Sequence, residues 1–192
     1  MARATWFCID IECSGPVPHL YDMISLGAVS VTQDDTGFTI GNPFYVEIRP
    51  TGPRVDPGAM AVNGLDIEAL RADGLPLVEA LTRLDRWVAE ETSPGTKPVF
   101  VGHNAPFDWS FVNYGYHAVG RPNPFGYKAL DTKALAMGVL GVHWFDSHKE
   151  LLQQRLELPD VDEGRVHRAD YDAWFQAHIL VRLLEASSCA DS

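Results

Sequence analysis

Apolar residues along this chain switch between two spacings, and the switches mark out the elements. Residues 5–12 alternate in strand fashion, and 23–32 and 38–48 read as further strands joined through the turn-like Asp34-Asp35-Thr36-Gly37. Leu77, Leu81, Leu84 and Val88 recur at helical spacing and predict an amphipathic helix over 75–91. Residues 98–102 suit a short buried strand, 105–119 a helix and 127–130 a fifth strand. Asp131-Thr132 can cap a short helix, 147–156 supports another, and 168–186 is the last. The Pro/Gly-rich stretch 50–58 is a loop, too short and too near the N-terminus to divide the chain into separate domains. Three strands followed by alternating helices and strands predict an α/β fold. We expect a mixed five-stranded sheet flanked by helices, antiparallel first and parallel later. One domain spans 1–192, with an ordered core of about 4–187.

Composition narrows the class. A chain of 192 residues with 46% hydrophobic content can bury a sizeable core. No apolar run reaches the length of a membrane span and no signal-peptide pattern opens the chain, so a soluble cytoplasmic protein is expected. Cys8, Cys13 and Cys189 are odd in number and lack CxxC spacing, which argues against a disulfide framework or a zinc knuckle. The net charge of −11 opposes broad binding to duplex nucleic acid. It leaves room for a small pocket gripping a few nucleotides, because bound metal ions reverse the local sign. No Walker-type loop or GxGxxG occurs.

The candidate chemistry lies in a few acids and one histidine. Residues two apart in a strand share a face, so Asp10 and Glu12 project together at the end of an apolar strand. Such carboxylates repel unless protonated or bridged by cations; a strand end emerging into solvent is the alternative. Asp108 falls on the stripe of Phe111, Val112 and Gly115, where a charge is costly unless paired or coordinated. Stabilisation of a helix N-terminus accounts for it equally well. Asp172 repeats the pattern ahead of Phe175, Ile179 and Leu183, while Asp170 reads as solvent-facing or capping. His167 stands at the helix entrance, where a lone histidine is most often a polar surface residue, while a ring placed there can also reach a bound water and suits a general base. Brought together, these five residues would equip a metal-dependent phosphodiesterase. Oxygen-rich ligands select Mg²⁺ or Mn²⁺ over zinc. His103, His117, His143 and His148 show no joint metal spacing and read as surface or core residues, and Asp131 reads as a helix cap.

Taken jointly, Asp10-Ile11-Glu12, Asn104-Ala105-Pro106-Phe107-Asp108, and His167 followed five residues later by Asp172 resemble the DEDDh exonuclease superfamily. That superfamily includes the polymerase proofreading subunit, ribonuclease T and oligoribonuclease. Ser25-Leu26-Gly27-Ala28, Val62-Asn63-Gly64-Leu65 and Asp131-Thr132 are lesser matches, and the likeness covers nearly the whole chain. The chain departs from many relatives in carrying Cys13-Ser14-Gly15 after the glutamate, and Asn63 where a histidine is frequent.

The resemblance implies a ribonuclease H-like fold and a 3′–5′ exonuclease using two divalent cations, Mg²⁺ or Mn²⁺. Asp10 would bridge both ions, Glu12 and Asp172 would complete one, Asp108 would serve the other, and His167 would deprotonate the attacking water. The same analogy puts Ile11, Cys13, Ser14, Gly15, Met60, Val62, Asn63, Asn104 and Phe107 beside the terminal nucleotide of single-stranded or 3′-overhanging RNA or DNA. Nucleoside 5′-monophosphates would be released. Without a separate substrate-gripping domain, a homodimer is expected. The competing class is a non-catalytic accessory subunit that kept the fold, which the full set of five residues opposes.

Overall fold

In the computed structural model, which describes residues 3–189, strand β1 (Arg3–Cys13) runs through the middle of the sheet. Its alternation feeds two cores at once. Phe7, Ile9 and Ile11 pack into one apolar cluster, and Cys8 packs into another on the opposite face. The period of two then puts Asp10 and Glu12 on the Cys8 side. That side faces the last helix of the chain.

Strand β2 (Met23–Asp34) lies antiparallel to β1, with Trp6 opposite Val31, Asp10 opposite Gly27 and Cys13 opposite Met23. The register slips between Glu12 and Cys13, so the strand ends irregularly just past the two acids. Strands β3 (Gly37–Ile40) and β4 (Phe44–Glu47) both pair antiparallel with β2, one on each half of its length. Strand β5 (Thr96–Gly102) is parallel to β1, and β6 (Ala129–Asp131) is parallel to β5. The order β3-β2-β1-β5-β6 leaves the C-terminal ends of three parallel strands side by side. Open α/β sheets bind their ligands at such an edge.

Seven α-helices accompany the sheet among the described residues: α1 (Pro57–Asn63), α2 (Ile67–Asp73), α3 (Leu77–Glu91), α4 (Ala105–Ala118), α5 (Thr132–Leu140), α6 (Lys149–Leu156) and α7 (Ala169–Cys189). Leu81, Leu84 and Val88 of α3, with Phe111, Val112 and Tyr116 of α4, cover the Phe7 face. Ala173, Ala177 and Leu180 of α7 cover the Cys8 face, and the two alanines let the helix lie close. A third cluster joins Ala136 of α5 and Leu152 and Leu156 of α6 to Phe175, Ile179 and Leu183 of α7. No helix among the described residues is long and apolar enough to cross a membrane.

The sheet has six strands rather than the expected five. The run 38–48 breaks at Gly41-Asn42-Pro43, since Pro43 has no N–H to give a ladder. The stretch expected as a loop also ends sooner, because Pro57 opens α1. Helices α1 and α2 escape the pattern of apolar spacing, as α1 buries no residue and α2 buries only Leu70. Capping chemistry builds them instead. Asp56 and Asp66 each accept two backbone N–H bonds, and Gly64 closes α1 in the left-handed region at φ 66°. The last strand is displaced to β6, and Tyr127 lies outside it, 80% exposed.

One close approach sets how α7 meets the sheet. A methyl group on Gly27 would stand 2.1 Å from the Ala169 carbonyl carbon and 2.2 Å from the Asp170 amide nitrogen. Both obstacles are backbone, so neither can rotate away. Gly27→Ala should therefore destabilise the protein by about 1–3 kcal/mol, as overpacked sites do. Urea denaturation would check this, and unchanged stability would mean that α7 does not depend on the contact.

Candidate active site

Asp10 and Glu12 leave β1 at its C-terminal end, where Ile11 between them turns into the opposite core. Asp108 arrives from the first turn of α4. Its helix enters through Asn104, held at φ 71° with no side-chain cap. Asp108 is 5% exposed and accepts the Ile11 N–H through Oδ1 at 3.1 Å. Its carboxylate thus ties α4 to the strand between the two acids, beyond any service to its own helix.

Asp172 lies in the first turn of α7. It reaches back so that Oδ2 accepts the His167 N–H at 2.8 Å. His167 has φ 64°, a left-handed turn uncommon for a residue with a Cβ, and this bond helps hold it there. Glu12, His167 and Asp172 each offer a ligand atom, all within 4.8 Å of one another. Asp170 is not a site residue: it pairs with Arg168 and accepts the Tyr171 N–H.

These side chains share one cavity of about 320 Å³. Of the residues expected at the site, Asp10, Ile11, Glu12, Asn104, Phe107, Asp108, His167 and Asp172 line it. Cys13, Ser14, Gly15, Met60, Val62 and Asn63 lie outside it. Cys13 is buried, and burial pushes its thiol up to about 11. The Ser14 hydroxyl is spent within its loop, donating to the Arg54 carbonyl and accepting the Asp22 N–H. Gly15 is pressed against the Tyr21 ring. Asn63 donates to the Cys13 carbonyl at 3.2 Å, which fastens α1 to the end of β1.

Burial governs the electrostatics, and crowding adds to it. Burial raises the Asp10 carboxyl well above the ordinary range, and Asp108, Asp172 and Glu12 add to the rise while Lys149 opposes it. Burial, then Asp172 and Asp108, push Glu12 up to about 8. Burial pushes Asp108 up to about 7, against the pull of the Ile11 N–H. Buried, clustered carboxyls in this state suit divalent cations, whose charge offsets both the burial and the mutual repulsion that hold the protons on. The donor set therefore fits a hard cation.

Three residues of the site carry no signal in the sequence that singles them out. Lys149, the first residue of α6, forms an ion pair with Asp172 Oδ1. Gln176, one turn beyond Asp172 and fully buried, donates through Nε2 to Asp10 Oδ1 at 2.7 Å. It sits beside Phe175 on the packed side of α7, where a buried amide asks for a partner. His103, expected as a surface or core residue, forms part of the cavity wall, with Nδ1 2.9 Å from the Thr132 hydroxyl. Burial first, then Lys149 and Lys133, lower it to about 3, so it stays neutral. Asp131 caps α5 as expected, accepting the Lys133 and Ala134 N–H groups.

Comparison with known proteins identifies the family and the fold. A family model described as "Exonuclease" matches residues 7–180. The chain is 36% identical over 183 residues to the 3'-5' DNA exonuclease Cap18 of Escherichia coli, spanning 94% of this chain and 91% of that protein. It is 25% identical over 187 residues to ribonuclease T of Hahella chejuensis, spanning 92% and 81%. Among solved structures, the nuclease domain of 3'hExo, a DEDDh family member bound to rAMP, shares the fold with a TM-score of 0.79 at 17% identity, over 95% of this chain and 92% of that one.

The raised carboxyls predict how metal-stripped protein responds to pH. Glu12 titrates at about 8 in the folded chain against an ordinary 4.5, and Asp108 at about 7 against 3.8. A carboxyl with a raised folded pKa supports the fold while protonated. That support is complete below the ordinary value and is lost as pH rises through the folded one. In EDTA, Tm should fall between about pH 5 and about pH 8, and Glu12→Gln should flatten the fall. Calorimetry on both proteins decides it, and equal slopes would refute the assignment to Glu12.

Proposed function

The chain belongs to the DEDDh 3′–5′ exonuclease family, and from that premise we propose that it trims single-stranded or 3′-overhanging nucleic acid from the 3′ end, releasing nucleoside 5′-monophosphates. One observation carries the reading. Asp10, Glu12, Asp108, His167 and Asp172, drawn from three distant segments, meet on one cavity. Of the two substrate classes, DNA is favoured, since the relative at 36% identity is a DNA exonuclease and those named ribonuclease T are less similar.

In this reading Asp10, Glu12, Asp108 and Asp172 hold two divalent cations, Mg²⁺ or Mn²⁺. Bound there, the ions supply charge stabilisation at the phosphate oxygens and lower the pKa of the attacking water. His167 takes the proton from that water. Its exposed ring stands beside Glu12 and Asp172, and its backbone is fixed by the carboxylate it would work next to. Gln176 orients Asp10 through its amide, which leaves the second Asp10 oxygen for a cation. Phe107 and Asn104 offer walls for the terminal nucleotide. Met60 and Val62 give α1 an apolar rim for its base, with Val62 56% exposed. Ile11 lines the cavity itself, and Cys13, Ser14 and Gly15, outside it, would border that nucleotide from the end of β1 onward.

Alanine at Asp10, Glu12, Asp108 or Asp172 should nearly abolish hydrolysis of end-labelled single-stranded DNA while the far-UV CD spectrum stays unchanged. EDTA should do the same to the unmodified protein. His167→Ala should slow single-turnover hydrolysis by ~10²–10⁴-fold, a general base's usual share, with little loss of Mn²⁺ affinity by calorimetry. A parallel loss of affinity would make the histidine a ligand instead. We also propose a homodimer, because a chain of net charge −11 has little general attraction for a nucleic-acid strand and a second subunit would extend the groove. Light scattering should return twice the chain mass, and a fully active monomer would end that idea.

A further inference from the structure

Lys149 occupies a place that nothing in its own helix explains. It opens α6, where the helix dipole disfavours a cation, and the His148 side chain makes no capping bond there. Its ammonium is turned into the carboxylate cluster and bonds Asp172 Oδ1. The backbone beneath it is firmly seated, because Leu152, one turn along, is fully buried against α7. Asp172 has two oxygens, and Oδ2 already accepts the His167 N–H. Lys149 therefore holds the Asp172 oxygen that the His167 N–H leaves open, on the carboxylate whose ligand atom lies within 4.8 Å of one from Glu12.

From this geometry we propose that Lys149 is a resident counter-ion of the metal-free site, which a divalent cation must displace from Asp172 in order to bind. The inference rests on the proposed metal site and adds a regulation of its loading. In the absence of metal, the ammonium offsets negative charge in the carboxyl cluster and joins α6 to α7 at the cavity. Once displaced, the side chain has somewhere to go. It is 28% exposed against 8% for Asp172, and its flexible stem can swing to the cavity mouth while α6 stays put. Two divalent ions would balance the four carboxylates, leaving the lysine charge free to meet a phosphodiester at the mouth. Metal loading is thus a competition between one tethered monovalent cation and free divalent ones.

Calorimetric Mn²⁺ titration of the metal-stripped, full-length protein tests this. Lys149→Met, which keeps the length and removes the charge, should bind Mn²⁺ more tightly by on the order of tenfold. Its Tm in EDTA should fall, and Lys149→Arg should restore both values towards those of the unmodified protein. Unchanged or weaker Mn²⁺ binding in Lys149→Met would overturn the proposal. A second measurement needs no variant: acylation of Lys149 in the unmodified protein, followed by mass spectrometry, should be slow in EDTA and faster with Mn²⁺. Equal or slower acylation with Mn²⁺ would also overturn it. The two levels are separable. If the unmodified protein bound no Mn²⁺, the metal site itself would fall and the competition with it, whereas a null result at Lys149 alone would leave the metal site standing.

Discussion

The approach of α7 to Gly27, the residue paired across the ladder from Asp10, fixes where half of the site can be. Because the sheet has no side chain at Gly27, the Ala169-Asp170 backbone settles directly onto β2. The first turn of the helix then carries Asp172 to the level of Asp10, and the turn after it carries Gln176 to within 2.7 Å of the Asp10 carboxylate. The small residues Ala173 and Ala177 keep the helix axis close along the same line. A bulkier contact at any of these places would move the carboxylates apart without touching one of them.

Like charges lie close together in the cavity, and the fold answers them with fixed donors. Asp108 receives the Ile11 N–H, Asp172 the His167 N–H and the Lys149 ammonium, and Asp10 the Gln176 amide. Glu12 has no such bond among the described residues and offers a ligand atom within 4.8 Å of those of His167 and Asp172. The Ile11, His167 and Gln176 donors each hold one carboxylate oxygen in place, and only the Lys149 bond is one that a cation would have to displace. Charges placed in advance leave little to reorganise during a reaction, which is the basis of electrostatic catalysis.

How far the sequence can be read follows from what each element is made of. Where burial drives an element, the spacing shows it: the alternation of β1, the Leu77-Leu81-Leu84-Val88 stripe of α3, and the Asp172-Phe175-Ile179-Leu183 run of α7 are all present. The acids of the cavity are legible for the related reason that a carboxylate on an apolar stripe is costly and needs a purpose. Helices α1 and α2 are hidden from apolar spacing because caps rather than cores make them; their signals are Asp56-Pro57 and Gly64, which punctuate a segment with little else to read. The strand break at Pro43 is likewise a matter of one missing N–H, which a run of apolar and polar positions does not register. Lys149 has no signature of either kind. A lysine at the start of an amphipathic segment is ordinary, and only the tertiary fold shows that its partner is 23 residues away.

The bond between Gln176 and Asp10 spans 166 positions, almost the full extent of the chain. The ribosome makes β1 well before α7, so its acids have no companions on the Cys8 face until that last helix is synthesised and docks. A nascent chain therefore carries Asp10 and Glu12 past the exit tunnel as two isolated acids, while His167 and Asp172 are still to come. The full set of cavity-lining acids therefore exists only after α7 has been made and has docked.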